Sequence, residues 1–159
     1  MKKTVAVIGS RGAIGNAVVD TLLADESVEA VFKFSRAEIT EHDDKVKHIF
    51  IDIEDEESIK QATESLPEDT KFDLIFVATG ILHDEKNVFP EKSIKDISFD
   101  KLIKVLTINT IGPTLVGKYF IPYLRKDSKS TFAFLSARVG SISDNKLGGW
   151  YSYLSLIHI

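Results

Sequence analysis

Residues 5–8, Val-Ala-Val-Ile, run without a polar side chain straight into Gly9-Ser10-Arg11-Gly12-Ala13-Ile14-Gly15. An apolar run with no alternation fits a strand buried on both faces. The glycine turn opens a helical pattern in which Ile14, Val18 and Leu22 share one face. A strand that passes into a helix this way commits the chain to a right-handed crossover and a parallel neighbouring strand. The alternation continues. Ala30–Ser35, His48–Asp52, Phe72–Ala78 and Thr131–Leu135 read as further strands. Glu54, Asp55, Glu56 and Glu57 crowd a helix start, where they suit the macrodipole. A long helical pattern spans Phe99–Leu124. The predicted fold class is α/β, a Rossmann-type doubly wound parallel sheet with helices on both faces.

The remaining properties of the chain bound its setting. At 159 residues it has the length of one domain, and no repeat or Pro/Gly/Ser linker divides it. A formal net charge of −4 offers no attraction for nucleic acid or an anionic membrane. No stretch approaches the roughly 20 apolar residues that a bilayer span needs. The opening MKKTVAVIG resembles a signal n-region, but its apolar run is cut off at Gly9. Cysteine is absent, which removes disulfides, thiolate metal sites and cysteine nucleophiles together. These features predict a soluble, cytoplasmic protein. His42, His48, His83 and His158 show no metal-ligand spacing, so no metal site is expected.

Three glycines at the first strand-to-helix turn match a chemical need. A pyrophosphate must approach the backbone closely there and take hydrogen bonds from free N–H groups at the helix N-terminus. Gly9, Ser10, Arg11, Gly12, Ile14 and Gly15 are therefore candidate dinucleotide-binding residues, although the spacing is GxxGxxG and a glycine turn can simply connect two elements. Ser35-Arg36 follows the second strand. An acidic residue at that position favours NAD by binding the ribose 2′-hydroxyl, whereas arginine accommodates a 2′-phosphate. With Arg11 as a second cation, the expected cofactor is NADP, with NAD the alternative.

Asn109 lies inside the long helical pattern, four residues before Pro113. Proline has no N–H, so the Asn109 carbonyl loses its ordinary helical donor and a kink is expected. Such a carbonyl can hold a water. An incidental kink with a polar residue facing solvent is the rival reading.

Several motifs now stand in order: GSRGAIG, Asp52-Ile53, Ala78-Thr79-Gly80, Asn109, and LSARVGS followed by GGWYSY. In these the chain resembles the short-chain dehydrogenase/reductase family over about residues 3–153, and its C-factor-like members most. The resemblance implies that Asp52, with Ile53, meets the adenine ring. It implies that Ala78, Thr79 and Gly80 let the nicotinamide ribose approach, and that the Asn109 carbonyl anchors a water in a proton relay. It also implies a tyrosine acid/base, a serine that polarises the substrate oxygen, and a lysine four residues beyond the tyrosine. Tyr153 matches that tyrosine, with Tyr151 as its packing neighbour. Ser136 and Ser141 are both candidates for the serine, because Ala137 occupies the aligned place and Ser143 lies beyond. The substrate class is a small-molecule carbonyl or alcohol, and the 99–124 helix is implied as the contact of a homo-oligomer.

Position 157, where the family carries lysine, is Ile157, and the ending 154–159 shares nothing with the family. The expectation is a dinucleotide-binding domain over residues 1–153, incomplete at its C-terminal end, followed by an atypical tail. As written, such a chain is expected to be catalytically inactive. A non-catalytic dinucleotide-binding or signalling protein, or an inactive fragment, are the rival readings to an NAD(P)-dependent oxidoreductase.

Overall fold

The computed structural model describes residues 2–37, 44–83, 88–137 and 149–154. Five strands form one parallel sheet in the order β3-β2-β1-β4-β5: β1 Lys3–Ile8, β2 Val28–Ser35, β3 Val46–Phe50, β4 Leu74–Val77 and β5 Thr131–Phe134. The helices are α1 Ala13–Ala24, α2 Glu56–Glu64, α3 Phe99–Leu106, α4 Gly112–Phe120 and α5 Tyr151–Leu154.

The unbroken apolar run of β1 has a direct cause, since both faces of the strand are covered. Val5 and Val7 pack with Val19, Val28 and Val31 beneath α1. Ala6 and Ile8 point the other way, into a core with Phe34, Ile59, Ile75, Val116 and Phe120 that α2 and α4 close. Aromatic edges lock that second layer, with Phe34 and Phe120 ring centroids 5.1 Å apart at 83° and Phe32 and Phe72 5.2 Å apart at 86°. The doubly wound reading therefore holds.

The structure shifts the strand bounds and adds detail on α1. The third strand is Val46–Phe50, not His48–Asp52, so Asp52 lies in the loop beyond the strand end. The fourth is shorter than Phe72–Ala78, with Phe72 instead bridging to Leu124 outside the strand. On α1, Val18 and Leu22 pack towards the sheet, but Ile14 is 55% exposed. Its turn lies at the strand ends, over a cleft, and the core contacts are made one residue on by Gly15 and Val19.

The long pattern from Phe99 to Leu124 is not one α-helix. It runs from α3 through a π-helical turn at Thr107–Ile111 into α4 and ends in a 3₁₀ turn at Ile121–Tyr123. The Gly112 N–H donates to the Thr107 carbonyl, five residues back. The wide turn falls where Pro113 cannot donate to Asn109, the site at which a kink was expected.

Candidate functional site

The order 3-2-1-4-5 reverses direction between β1 and β4, and the carboxyl ends of these strands diverge there into a crevice. The turn after β1 fills one side. Gly9 has φ +80°, and a Cβ there would stand 2.8 Å from Thr79 Cγ2 and 3.1 Å from the Ala78 carbonyl carbon. Gly15 sits so close to the turn that a Cβ would overlap the Gly9 carbonyl oxygen and come within 3.0 Å of Ser10 Cα. Gly12, the N-cap of α1, has no side chain with which to cover the donors of its first turn. The turn is held by Gly12 N donating to Gly9 O at 3.0 Å and Gly9 N donating to Phe34 O at 3.0 Å. Ser10 is fully buried, and its hydroxyl donates to the Phe34 carbonyl at 3.2 Å, so its contribution here is to fix the turn.

Two clefts open at this crevice. One, of about 390 Å³, runs from Gly9, Arg11 and Gly12 past Ser35 and Arg36 to Asp52, Ile53 and Glu54. The other, of about 510 Å³, is walled by Ile14, Asn109, Ser136 and Tyr153. Ala78, Thr79, Gly80 and Ile81 line both, so the clefts meet over the end of β4. The Thr79 hydroxyl is buried there with no hydrogen-bond partner among the described residues.

The sequence candidates divide between these clefts. Asp52 is half-buried and accepts from Glu54 N at 3.1 Å, while its own N–H donates to Ser58 Oγ at 2.9 Å. Asn109 is half-buried, and its side chain is engaged by Ile81. Its Oδ1 accepts from Ile81 N at 2.7 Å and its Nδ2 donates to Ile81 O at 2.8 Å. Ser136 and Tyr153 share a cleft wall, and Trp150 stacks edge-on to Tyr153 with ring centroids 6.4 Å apart. Ser141, Ser143 and Ile157 lie outside the described residues.

The profile of the short chain dehydrogenase family matches residues 3–153. The chain belongs to the short-chain dehydrogenase family. It is 27% identical over 152 residues to 1-hydroxy-2-glutathionyl-2-methyl-3-butene dehydrogenase of Rhodococcus sp. (strain AD45), covering 94% of this chain and 63% of that one. Over 61 residues it is 31% identical to C-signal of Myxococcus xanthus, covering 38% of this chain and 37% of that one. This short-chain dehydrogenase thus spans less than two thirds of the length of either curated relative. An NADPH-bound carbonyl reductase from chicken fatty liver superposes with a TM-score of 0.82 at 25% identity, covering 99% of this chain and 66% of that one.

Other residues at the short-chain dehydrogenase site carry no signal in the sequence. Glu54 reads there as one of four solvated acids at a helix start. In the structure Asp55 is the N-cap of α2, and Glu54 lies before it in the cleft wall. Its carboxylate meets Lys104 Nζ at 2.5 Å and Arg36 Nη1 at 3.6 Å. Glu91 is buried, and its carboxylate accepts from both the N–H and the hydroxyl of Ser152, next to Tyr153. Its carbonyl accepts from Trp150 N at 2.7 Å. Only folding brings residue 91 to residue 152. Among the described residues, no group of three His, Asp or Glu could hold a metal ion.

Proposed function

We propose that this chain binds NADP(H) extended across the ends of β1 and β4, as part of an oxidoreductase that interconverts a carbonyl and an alcohol. The observation that carries the proposal is the meeting of two clefts over Ala78–Ile81, one beside the glycine turn and the other beside Tyr153. A dinucleotide is long enough to need both. The residues fit it. The glycine backbone at 9, 12 and 15 leaves room for a pyrophosphate, and Arg11 brings a cation to that cleft. In this reading Ser35 and Arg36 serve the adenosine ribose and a 2′-phosphate, Asp52 and Ile53 serve the adenine, and all four line that same cleft.

When bound, the nicotinamide supplies hydride to the carbonyl carbon, or accepts it from the alcohol. The chain's own part is the proton. In reduction the Tyr153 hydroxyl gives its proton to the substrate oxygen, and in oxidation it takes that proton back. Ser136, on the same cleft wall, donates a hydrogen bond to that oxygen, with Ser141 the alternative. The Asn109 carbonyl, deprived of its usual donor by Pro113, anchors the relay water. The NADPH-bound chicken carbonyl reductase and the Rhodococcus dehydrogenase support this reaction class. The likeness to C-signal supports placement among C-factor-like members.

Residues 1–153 act as the dinucleotide-binding unit in this reading, with 154–159 a tail outside it. The substrate is a small molecule. Exposed Phe99, Ile103, Ile111 and Ile121 support a homo-oligomer through the 99–124 segment. No described helix is long and apolar enough to cross a membrane, and we assign the protein to the cytoplasm.

Calorimetric titration with NADPH and NADH tests the proposal. Saturable binding of both, tighter for NADPH, is the expected result. Absence of binding overturns the dinucleotide reading, and equal affinities overturn the NADP(H) preference alone.

A further inference from the structure

We propose that Glu54 is a cofactor-selectivity residue, a counter-ion that competes with the 2′-phosphate for Arg36 and so limits the preference for NADP(H). The inference rests on the dinucleotide reading above and goes beyond it. Among the described residues, four ionisable side chains line the cleft on the adenosine side: Arg11, Arg36, Asp52 and Glu54. Their formal charges cancel. An arginine after β2 therefore does not by itself present a free positive charge to a phosphate.

The geometry makes the competition unequal. The Glu54 side chain is 23% exposed and is held from α3 by Lys104, Nζ to Oε2 at 2.5 Å. Arg36 is 69% exposed and meets the other carboxylate oxygen at 3.6 Å, a loose contact. Lys104 fixes the carboxylate, and Arg36 is the movable partner. A dianionic phosphate can draw Arg36 away, since exposed ion pairs at this distance are weak. The fixed carboxylate stays behind and repels the phosphate. NADH carries no 2′-phosphate and has little at stake in either charge.

Two substitutions of opposite sign follow. Glu54→Gln keeps the shape and removes the negative charge, leaving Arg36 free for phosphate. It is expected to tighten NADPH by about three- to tenfold at low ionic strength while changing NADH by less than about twofold. Lys104→Met leaves Glu54 with Arg36 as its remaining cation and is expected to weaken NADPH by a similar factor, again sparing NADH. Both effects shrink as salt rises, because the side chains are partly exposed.

The test is calorimetric titration of the unaltered chain and both variants with NADPH and NADH at low and high salt, with circular dichroism to confirm folding. Opposite shifts confined to NADPH and damped by salt support the proposal. Weaker NADPH binding by Glu54→Gln overturns it and makes Glu54 a scaffold for Arg36. Equal shifts for both cofactors, or none, also overturn it. If the unaltered chain binds neither cofactor, the dinucleotide reading itself fails and takes this inference with it.

Discussion

The side-chain amide of Asn109 closes a two-bond ring with the backbone of Ile81, accepting at 2.7 Å and donating at 2.8 Å. It ties the π-helical turn between α3 and α4 to the segment leaving β4, just where the two clefts meet. In the proposed relay this ring would help to hold the Asn109 backbone in place. Asn109→Leu leaves both Ile81 groups without these partners in a half-buried setting. Such loss costs about 1–3 kcal/mol, or about 2–4 °C of Tm per kcal/mol in a chain of this size. The dissociation constant for NADPH should rise in parallel. Unchanged Tm and affinity would show that the ring bears no load.

Gly15 sets helix propensity against packing. Alanine in a helix is ordinarily favoured over glycine by about 1 kcal/mol. At position 15 its Cβ overlaps the Gly9 carbonyl oxygen and crowds Ser10 Cα, and these are backbone atoms that cannot swing aside. Overpacking of this kind costs about 1–3 kcal/mol, so Gly15→Ala should lower Tm. Gly15→Val should also abolish the titration of NADPH fluorescence. A variant that binds as the parent does sinks the role given to the glycine turn.

Glu91 offers a readout independent of cofactor. Trp150 is the chain's single tryptophan. Its N–H donates to the Glu91 carbonyl, and the Glu91 carboxylate holds Ser152 two residues on. Glu91→Ala removes that acceptor from the buried Ser152 groups, at a cost of about 1–3 kcal/mol. Trp150 emission should move to longer wavelength and become easier to quench with iodide. Emission identical to the parent would mean that the Gly149–Leu154 segment is placed by other contacts.

Acid stability should depend on Glu56. Hydrogen bonds from Lys118 Nζ at 2.7 Å and Tyr119 Oη at 2.9 Å hold its carboxyl below the ordinary value of 4.5, and the same pairing raises Lys118 above 10.5. A depressed carboxyl stabilises the fold fully above 4.5 and loses that contribution as pH falls through its folded value. The raised lysine contributes below 10.5 and loses it as pH climbs through its own folded value. The pair that joins α2 to α4 is thus intact from about pH 5 to 10. Glu56→Gln should flatten the acid limb of Tm against pH, and an unaltered limb would show that Glu56 adds nothing to it.

Position 157 bears on turnover. A neighbouring cation favours the charged form of a tyrosine and so helps it pass a proton at neutral pH. Ile157 supplies no charge. The chain as written should show no measurable reduction of an activated aldehyde with NADPH, whereas a family-like ending carrying Ile157→Lys should restore it. If both turn over equally and Tyr153→Phe leaves the rate untouched, the assignment of Tyr153 fails.

The strand-and-helix order, the glycine turn and the break before Pro113 were legible along the chain because each has a local cause. Burial on both faces removes polar residues from a strand. Close backbone approach demands glycine, and proline lacks a donor. The parallel sense of the sheet follows from the same logic, since strand–helix alternation implies right-handed crossovers. The order 3-2-1-4-5 was decided by the packed sheet. What else the tertiary structure alone decided are contacts between residues distant in sequence. Asn109 meets Ile81, Glu54 meets Lys104 and Arg36, and Glu91 meets Ser152. None leaves a local signature, because a carboxylate or amide looks the same in sequence whether it faces water or a partner fifty residues away. Ile14 shows the converse. It shares a helical face with Val18 and Leu22, but its turn of α1 stands over the cleft, where the sheet no longer covers it. Periodicity records which face of a helix a residue lies on; only the packed fold determines how far along that face the core extends.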